Sequence, residues 1–429
     1  MITEPSRRET IEDSVNPIRA ARSLATAQRS LGPGNPVHDL FPTLLAGCPD
    51  TSNDTMQYPL EVAYDYASAR HLSFRRGACW RDWEEILPPV HVRASMPVGG
   101  TPLVNVSEVA PRQHQGRGVY IKDESRNPTW SHKDRLNKLT ISAALHEGAS
   151  TIIVASSGNH GVSAAAMASR GGLNCIVLTM PDVSAAFRAM IRSYGAYPVF
   201  LPSEARWSAM RALQSLPGTY PVSNLTPIHT GHPWGPEGYK TIAYEILAEM
   251  DGRVPAAVVV PTGYGELLYG IYKGFSEARL LGHINRIPQL VSVEPAARGP
   301  LHHAIKRGDP ANAVVARPTV QSGTATIVTG YRAIRAIQDS NGIALLVEDE
   351  AARAANRMLG RQGLWQEISS SAAFAALGDL TGLNNDGPIV VIGCSTGLKE
   401  HGSVDRVKMA EPDIASLRLY LKREFNFEL

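Results

Sequence analysis

The sequence predicts an α/β protein of two domains, each a mostly parallel twisted sheet flanked by helices. Three observations predict it. Short β-branched apolar runs alternate with longer segments of helical period, and strands separated by helices pair in parallel with both faces covered. The 429 residues exceed what a single hydrophobic core usually supports. Four strand-to-helix turns are rich in Gly, Ser, Thr and Asn, at the carboxyl ends of strands where α/β sheets bind ligands.

The elements follow in chain order. Residues 1–45 are polar, Arg-rich and broken by Gly32-Pro33-Gly34, and read as an N-terminal extension, partly helical over 17–29. Buried strands are expected at 119–122, 151–154, 175–179, 257–260, 290–293 and 389–392, all short and apolar. Helices are expected between them at 134–147, 162–170, 184–194, 237–250 and 266–281. Residues 401–429 form a tail that ends in an amphipathic helix over 413–425. Ile414, Leu417, Leu421 and Phe425 share one of its faces, which is expected to pack against the body or a partner subunit.

Composition narrows the partners. Forty-two basic residues against 40 acidic ones leave a formal charge of +2, so nothing steers the chain to nucleic acid or an anionic membrane. No run of about 18 apolar residues occurs, which argues against a membrane span. The N-terminus lacks the apolar segment of a secretory signal. The four cysteines, Cys48, Cys79, Cys175 and Cys394, are widely spaced with no CxxC pair, so neither a disulfide framework nor a metal site is expected. A cytoplasmic protein fits these features.

The first suggestive turn runs Asn127-Pro128-Thr129-Trp130-Ser131-His132-Lys133-Asp134-Arg135. It puts Lys133 in the first turn of a helix, where a cation is disfavoured by about 0.3–1 kcal/mol. That cost vanishes if the amine is neutral or condensed as an imine, the state that Schiff-base chemistry needs. The plainer alternative is a surface lysine paired with Asp134. The second turn, Ser156-Ser157-Gly158-Asn159-His160-Gly161, offers close backbone approach, free N–H groups at a helix start and the Asn159 amide. The third, Thr262-Gly263-Tyr264-Gly265-Glu266-Leu267, suits a phosphate monoester held by successive amides, and lacks the Lys-Ser/Thr ending of a P-loop. The fourth, Gly393-Cys394-Ser395-Thr396-Gly397, sets a thiol and hydroxyls at a strand end, where they could meet a neutral ring nitrogen or form a buried turn.

Taken in this order, the turns resemble fold-type II pyridoxal-phosphate (PLP) enzymes of threonine-synthase type, in the tryptophan synthase β superfamily. Asn127-Pro128-Thr129, Ser131 and Lys133-Asp134-Arg135 are similar to the family's N-P-T-G-S-F-K-D-R cofactor-lysine segment. Ser157-Gly158-Asn159-His160-Gly161 is similar to its S-G-N-H-G loop, Val260-Pro261-Thr262-Gly263 to the start of its phosphate cup, and Thr396-Gly397-Leu398-Lys399 to its closing T-G-x-G-L-K. Pro59-Leu60-Glu61-Val62, Gly99-Gly100-Thr101-Pro102-Leu103 and Glu237-Gly238 with Lys240-Thr241 resemble further segments of the threonine-synthase branch.

The resemblance implies pyridoxal 5′-phosphate as cofactor, with Lys133 as the Schiff-base lysine and catalytic residue. It implies cofactor binding by Lys133, Asn159, Thr262, Gly263, Tyr264, Gly265, Glu266, Leu267, Cys394 and Ser395. Thr129, Ser156, Ser157, Gly158, Asn159 and His160 would bind a small amino-acid substrate, and no metal is implied. Residues 46–139 and 237–400 would form a large cofactor-binding domain and 140–236 a small substrate-clamping one, in a homodimer.

Departures from the pattern shape the expected activity. Trp130 replaces a glycine and could line the pocket or face away as a core aromatic; His132 replaces an aromatic residue and could act as a base or pack and hydrogen-bond structurally. Gly235 stands where threonine synthases carry an arginine that helps hold the substrate phosphate, and the cup has the length seen in serine/threonine ammonia-lyases. The expected function is elimination or replacement at the β-carbon of an amino acid, with a substrate other than O-phosphohomoserine. The alternatives are a serine/threonine ammonia-lyase and a non-catalytic binding protein on the same fold.

Overall fold

The computed structural model describes residues 23–70, 72–400 and 413–428. Its centre is a six-stranded sheet in the order β14-β11-β10-β15-β5-β4. These strands are β4 (Leu103–Asn105), β5 (Val119–Asp123), β10 (Ala257–Pro261), β11 (Gln289–Pro295), β14 (Ile343–Val347) and β15 (Ile389–Gly393). All its pairs are parallel except edge strand β4 against β5. A second sheet, wholly parallel, has the order β8-β7-β6-β9 from β6 (Thr151–Ala155), β7 (Asn174–Thr179), β8 (Tyr197–Phe200) and β9 (Thr219–Pro221). Each expected strand and helix from residue 119 to 392 is present, with ends moved by a few residues at most.

Alternation along the strands explains the layers. Ala257, Val259, Ile389 and Val391 face one core, and Val258, Val260, Val390 and Ile392 the other. The first core is capped by the helices Asp349–Arg361 and Ile368–Ala375, the second by Gly235–Glu249 and Glu266–Leu280. A strand with both faces covered must be apolar throughout, which is why β10 reads Ala-Val-Val-Val-Pro. In the smaller sheet, Ile152, Val154, Cys175 and Val177 pack on the helices Lys133–His146 and Asn159–Gly171.

Close helix contacts fix the geometry below the site. A Cβ at Gly238 would lie 2.1 Å from the Arg135 carbonyl oxygen, and one at Gly274 would lie 2.4 Å from that of Lys240. The helix that begins at Lys133 is therefore seated directly on the backbone of its neighbour. Arg135, fully buried, ties the same junction through Glu124 at 2.7 Å and Glu245 at 2.7 Å.

One expectation needs correction. The helix expected over 17–29 falls partly outside the described residues, and its described end is strand β1 (Ala25–Ser30), which pairs antiparallel with β2 (Val37–Asp39) and β3 (Leu60–Tyr64). Ladder partners distant in sequence override the helix propensity of Ala and Arg there. The tail helix forms as Ile414–Phe425, capped by Asp413, but its apolar face is not packed on the body: Ile414 is 70% and Phe425 65% exposed. Among the described residues no helix is long and apolar enough to cross a membrane.

Candidate active site

The suggestive turns converge at the carboxyl ends of β5, β6, β10 and β15. Lys133 opens its helix, and its Nζ donates to the Tyr239 hydroxyl at 3.0 Å. Burial pushes the amine's pKa down, partly opposed by Glu266, Cys394 and Glu367. The ion pair with Asp134 weighed from the sequence does not form. The buried Asp134 instead accepts from the Thr129 amide at 2.7 Å and its hydroxyl at 2.6 Å, closing the turn that presents Lys133.

Across from this turn, Cys394 and Ser395 follow β15. The Cys394 carbonyl accepts from the His132 amide at 3.0 Å, and the ring Nδ1 of His132 lies 3.2 Å from it. His132 is buried, and desolvation followed by the charge of Lys133 holds its pKa well below the ordinary range. It serves the turn. Burial raises the Cys394 thiol, with Glu367 adding to the effect and Lys133 opposing it.

Asn159 starts the next helix and is held on three sides. Its amide nitrogen donates to Glu367 at 3.0 Å, while its oxygen accepts from Ser395 Oγ at 3.0 Å and Lys399 Nζ at 2.8 Å. Lys399 also donates to the Thr129 carbonyl. Glu367, buried with its pKa raised by desolvation, was not foreseen from the sequence, where an acid just ahead of a helix reads as an ordinary end residue. Tyr239 was missed as well, since nothing in a helical Gly-Tyr-Lys run marks a hydroxyl as facing a lysine 106 positions earlier.

In the loop after β6, Ser156 accepts from the Gly158 amide at 3.2 Å, and Ser157 from Arg206 at 2.9 Å. Among the described residues the amides of Ser157 and Asn159 donate to no other group, and the buried Nε2 of His160 has no partner. His160 is neutral over the physiological range: desolvation and the nearby Lys133 lower its pKa to about 3.

The turn after β10 has the form of an anion cradle. Thr262 is spent locally, donating to the Val260 carbonyl at 2.8 Å. The amides of Gly263, Tyr264 and Gly265 donate to no other described group. Gly265 has φ +88°, and a Cβ there would lie 2.3 Å from that of Ala333, so only glycine suits the position. The Tyr264 ring stacks on His229 at 4.2 Å, and Leu267 is buried beneath the turn. The Glu266 carboxylate turns away toward Gly231 and Gly235, 3.9 Å from His229 Nε2, and stays within electrostatic reach of Lys133.

Comparison with known proteins places the chain in a family. A family model described as pyridoxal-phosphate dependent enzyme matches residues 94–395. The chain is 29% identical over 382 residues to a threonine synthase of Methanosarcina acetivorans, covering 86% of this chain and 92% of the relative. It is 30% identical over 332 residues to a threonine synthase of Synechocystis, covering 72% and 81%. A fungal L-serine ammonia-lyase from Rhizomucor miehei superposes with a TM-score of 0.61 at 19% identity, over 70% of this chain and 94% of that one. Maize serine racemase also gives 0.61 at 19%, over 73% and 92%. At such identities the two structures speak for the fold alone.

Proposed function

The chain belongs to the pyridoxal-phosphate dependent enzyme family, and from that premise we propose that it eliminates or replaces a substituent at the β-carbon of an amino acid other than O-phosphohomoserine. The observation that carries this reading is the desolvated Lys133 amine, held by Tyr239 at 3.0 Å and within electrostatic reach of the helix that a turn with three free amides opens. The residues present fit the cofactor. Lys133 would hold its aldehyde carbon, the amides from Gly263 to Leu267 its phosphate, Asn159 its ring oxygen, and Cys394 with Ser395 its ring nitrogen.

Bound there, pyridoxal phosphate supplies a carbonyl for amine condensation and a conjugated ring that spreads the charge left when Cα loses its proton. The protein's own residues govern the rest. Burial disfavours the charged form of Lys133, so its free Nζ can take the Cα proton and return it to the leaving group. Tyr239 orients that amine. Neutral groups at the Cys394 position offer no proton donor acid enough to charge a ring nitrogen, which supports prompt loss of a β-substituent. The free amides of Ser157 and Asn159 suit the substrate carboxylate.

The substrate reading rests on Gly235 and Glu266. A Cβ at Gly235 would lie 3.1 Å from Leu136 Cδ1 and 3.5 Å from Glu266 Oε1, so a carboxylate stands where threonine synthases place an arginine. A dianionic phosphate would meet repulsion there. The four free cysteines support a reducing, cytoplasmic setting, and a homodimer is proposed by analogy.

A panel of serine, threonine, O-acetylserine, O-phosphoserine and O-phosphohomoserine tests the reading on the purified holoenzyme. Uncharged or acylated β-substituted amino acids should turn over with kcat/KM at least about tenfold above O-phosphohomoserine, the effect of about 1.4 kcal/mol. Preference for O-phosphohomoserine would overturn the substrate assignment. Keto acid and ammonia from plain threonine as the dominant products would select the ammonia-lyase chemistry instead.

A further inference from the structure

The small antiparallel sheet of β1, β2 and β3 carries a cluster that the chemistry above does not use. His38 on β2 and Cys48 and Asp50 in the loop before β3 bring one ligand atom each to within 4.8 Å of one another. His38 Nε2 is 3.5 Å from Cys48 Sγ and 3.6 Å from Asp50 Oδ2. Tetrahedral zinc with Zn–S near 2.3 Å and Zn–N or Zn–O near 2.1 Å sets its ligand atoms about 3.4–3.6 Å apart. Both of these separations match that spacing.

The loop is built to hold this arrangement. The fully buried Gln28 clamps the segment between the ligands, donating to the carbonyls of Asp39 at 2.8 Å and Pro42 at 2.9 Å and accepting from the Leu44 amide at 2.9 Å. The Cys48 amide donates to the Tyr58 carbonyl at 2.8 Å, and Ser52 returns a bond to the Cys48 carbonyl at 3.0 Å. Sγ is further contacted by Thr51 and Ser30, whose hydroxyls lie 3.1 Å apart. Such outer partners orient a metal ligand. Cys48 is buried whereas Asp50 is largely exposed, so an ion could enter from the Asp50 side and keep a water as its fourth ligand.

We propose that His38, Cys48 and Asp50 form a zinc site that staples the loop between β2 and β3, with Nε2, Sγ and Oδ2 as ligands. The sulfur and imidazole ligands select zinc over magnesium or calcium, which take oxygen ligands.

The test uses the full-length holoenzyme, titrated with zinc in competition with a chromophoric chelator, beside His38→Gln, Cys48→Ser and Asp50→Asn. Loss of an outer partner alone weakens metal binding by about 10–100-fold, so each variant should lose at least about tenfold, Cys48→Ser the most. Wild type should keep one zinc per chain through dialysis. Cofactor absorbance should be unchanged in every variant, which shows that each still folds. Zinc uptake by wild type no greater than by Cys48→Ser overturns the proposal, as does wild-type affinity retained in both Asp50→Asn and His38→Gln. If Cys48→Ser does not fold, the other two decide.

Discussion

At the scale of single residues, Trp130 sits in the turn that presents Lys133 with a backbone conformation that favours glycine. Its φ is +58°, in the left-handed region, and its side chain is 46% exposed. That exposure rules out a core aromatic, one of the two roles weighed from the sequence. The backbone is held in place from both sides: its amide donates to the Asn127 carbonyl at 2.8 Å and its carbonyl accepts from Ser395 Oγ at 2.9 Å. A side chain in this region costs about 1–2 kcal/mol that glycine does not incur, less the extra backbone entropy glycine loses. Trp130→Gly should therefore be more stable than Trp130→Ala by about 1 kcal/mol in denaturant midpoint. An alanine variant as stable as the glycine one would contradict the strained turn.

At the scale of elements, the helices Lys133–His146 and Gly235–Glu249 act as one platform, because Gly238 lets their backbones touch. Gly238→Ala would force a Cβ to 2.1 Å from the Arg135 carbonyl oxygen, next to buried ion pairs that cannot move cheaply. It should cost about 2–3 kcal/mol and shift Tyr239 away from Lys133. Gly360, in the helix Asp349–Arg361, has nothing within 4 Å of such a Cβ. There alanine should stabilise by about 0.5–1 kcal/mol. Denaturation of the two variants side by side checks both signs, and similar midpoints would remove the close-contact argument. Much of this level was legible in the sequence, since a strand such as Ala-Val-Val-Val-Pro, covered on both faces, announces itself by composition. The strand Ala25–Ser30 was not, because its Ala-Thr-Ala-Gln-Arg-Ser has no apolar run and depends on partners up to 39 positions away. What covers the tail helix was not legible for a related reason. Amphipathic spacing tells which residues share a face, and nothing about what covers it.

For the whole molecule, the site exists because two sheets bring strand ends together from four distant parts of the chain. Local signals marked Lys133, the Asn159 turn and the glycine cup, as each has its own backbone requirement. The groups that arrange them were silent: Glu367 reaches Asn159 across 208 positions, and Lys399 reaches Thr129 across 270. Long-range satisfaction of buried polar groups leaves no period in a sequence. The central claim is that the amine at position 133 carries the cofactor. Reducing the holoenzyme with borohydride and mapping the modified peptide by mass tests it most directly. The account predicts one phosphopyridoxyl group per chain, on Lys133, and none in Lys133→Ala. A label on another lysine, such as Lys138 or Lys399, would contradict it.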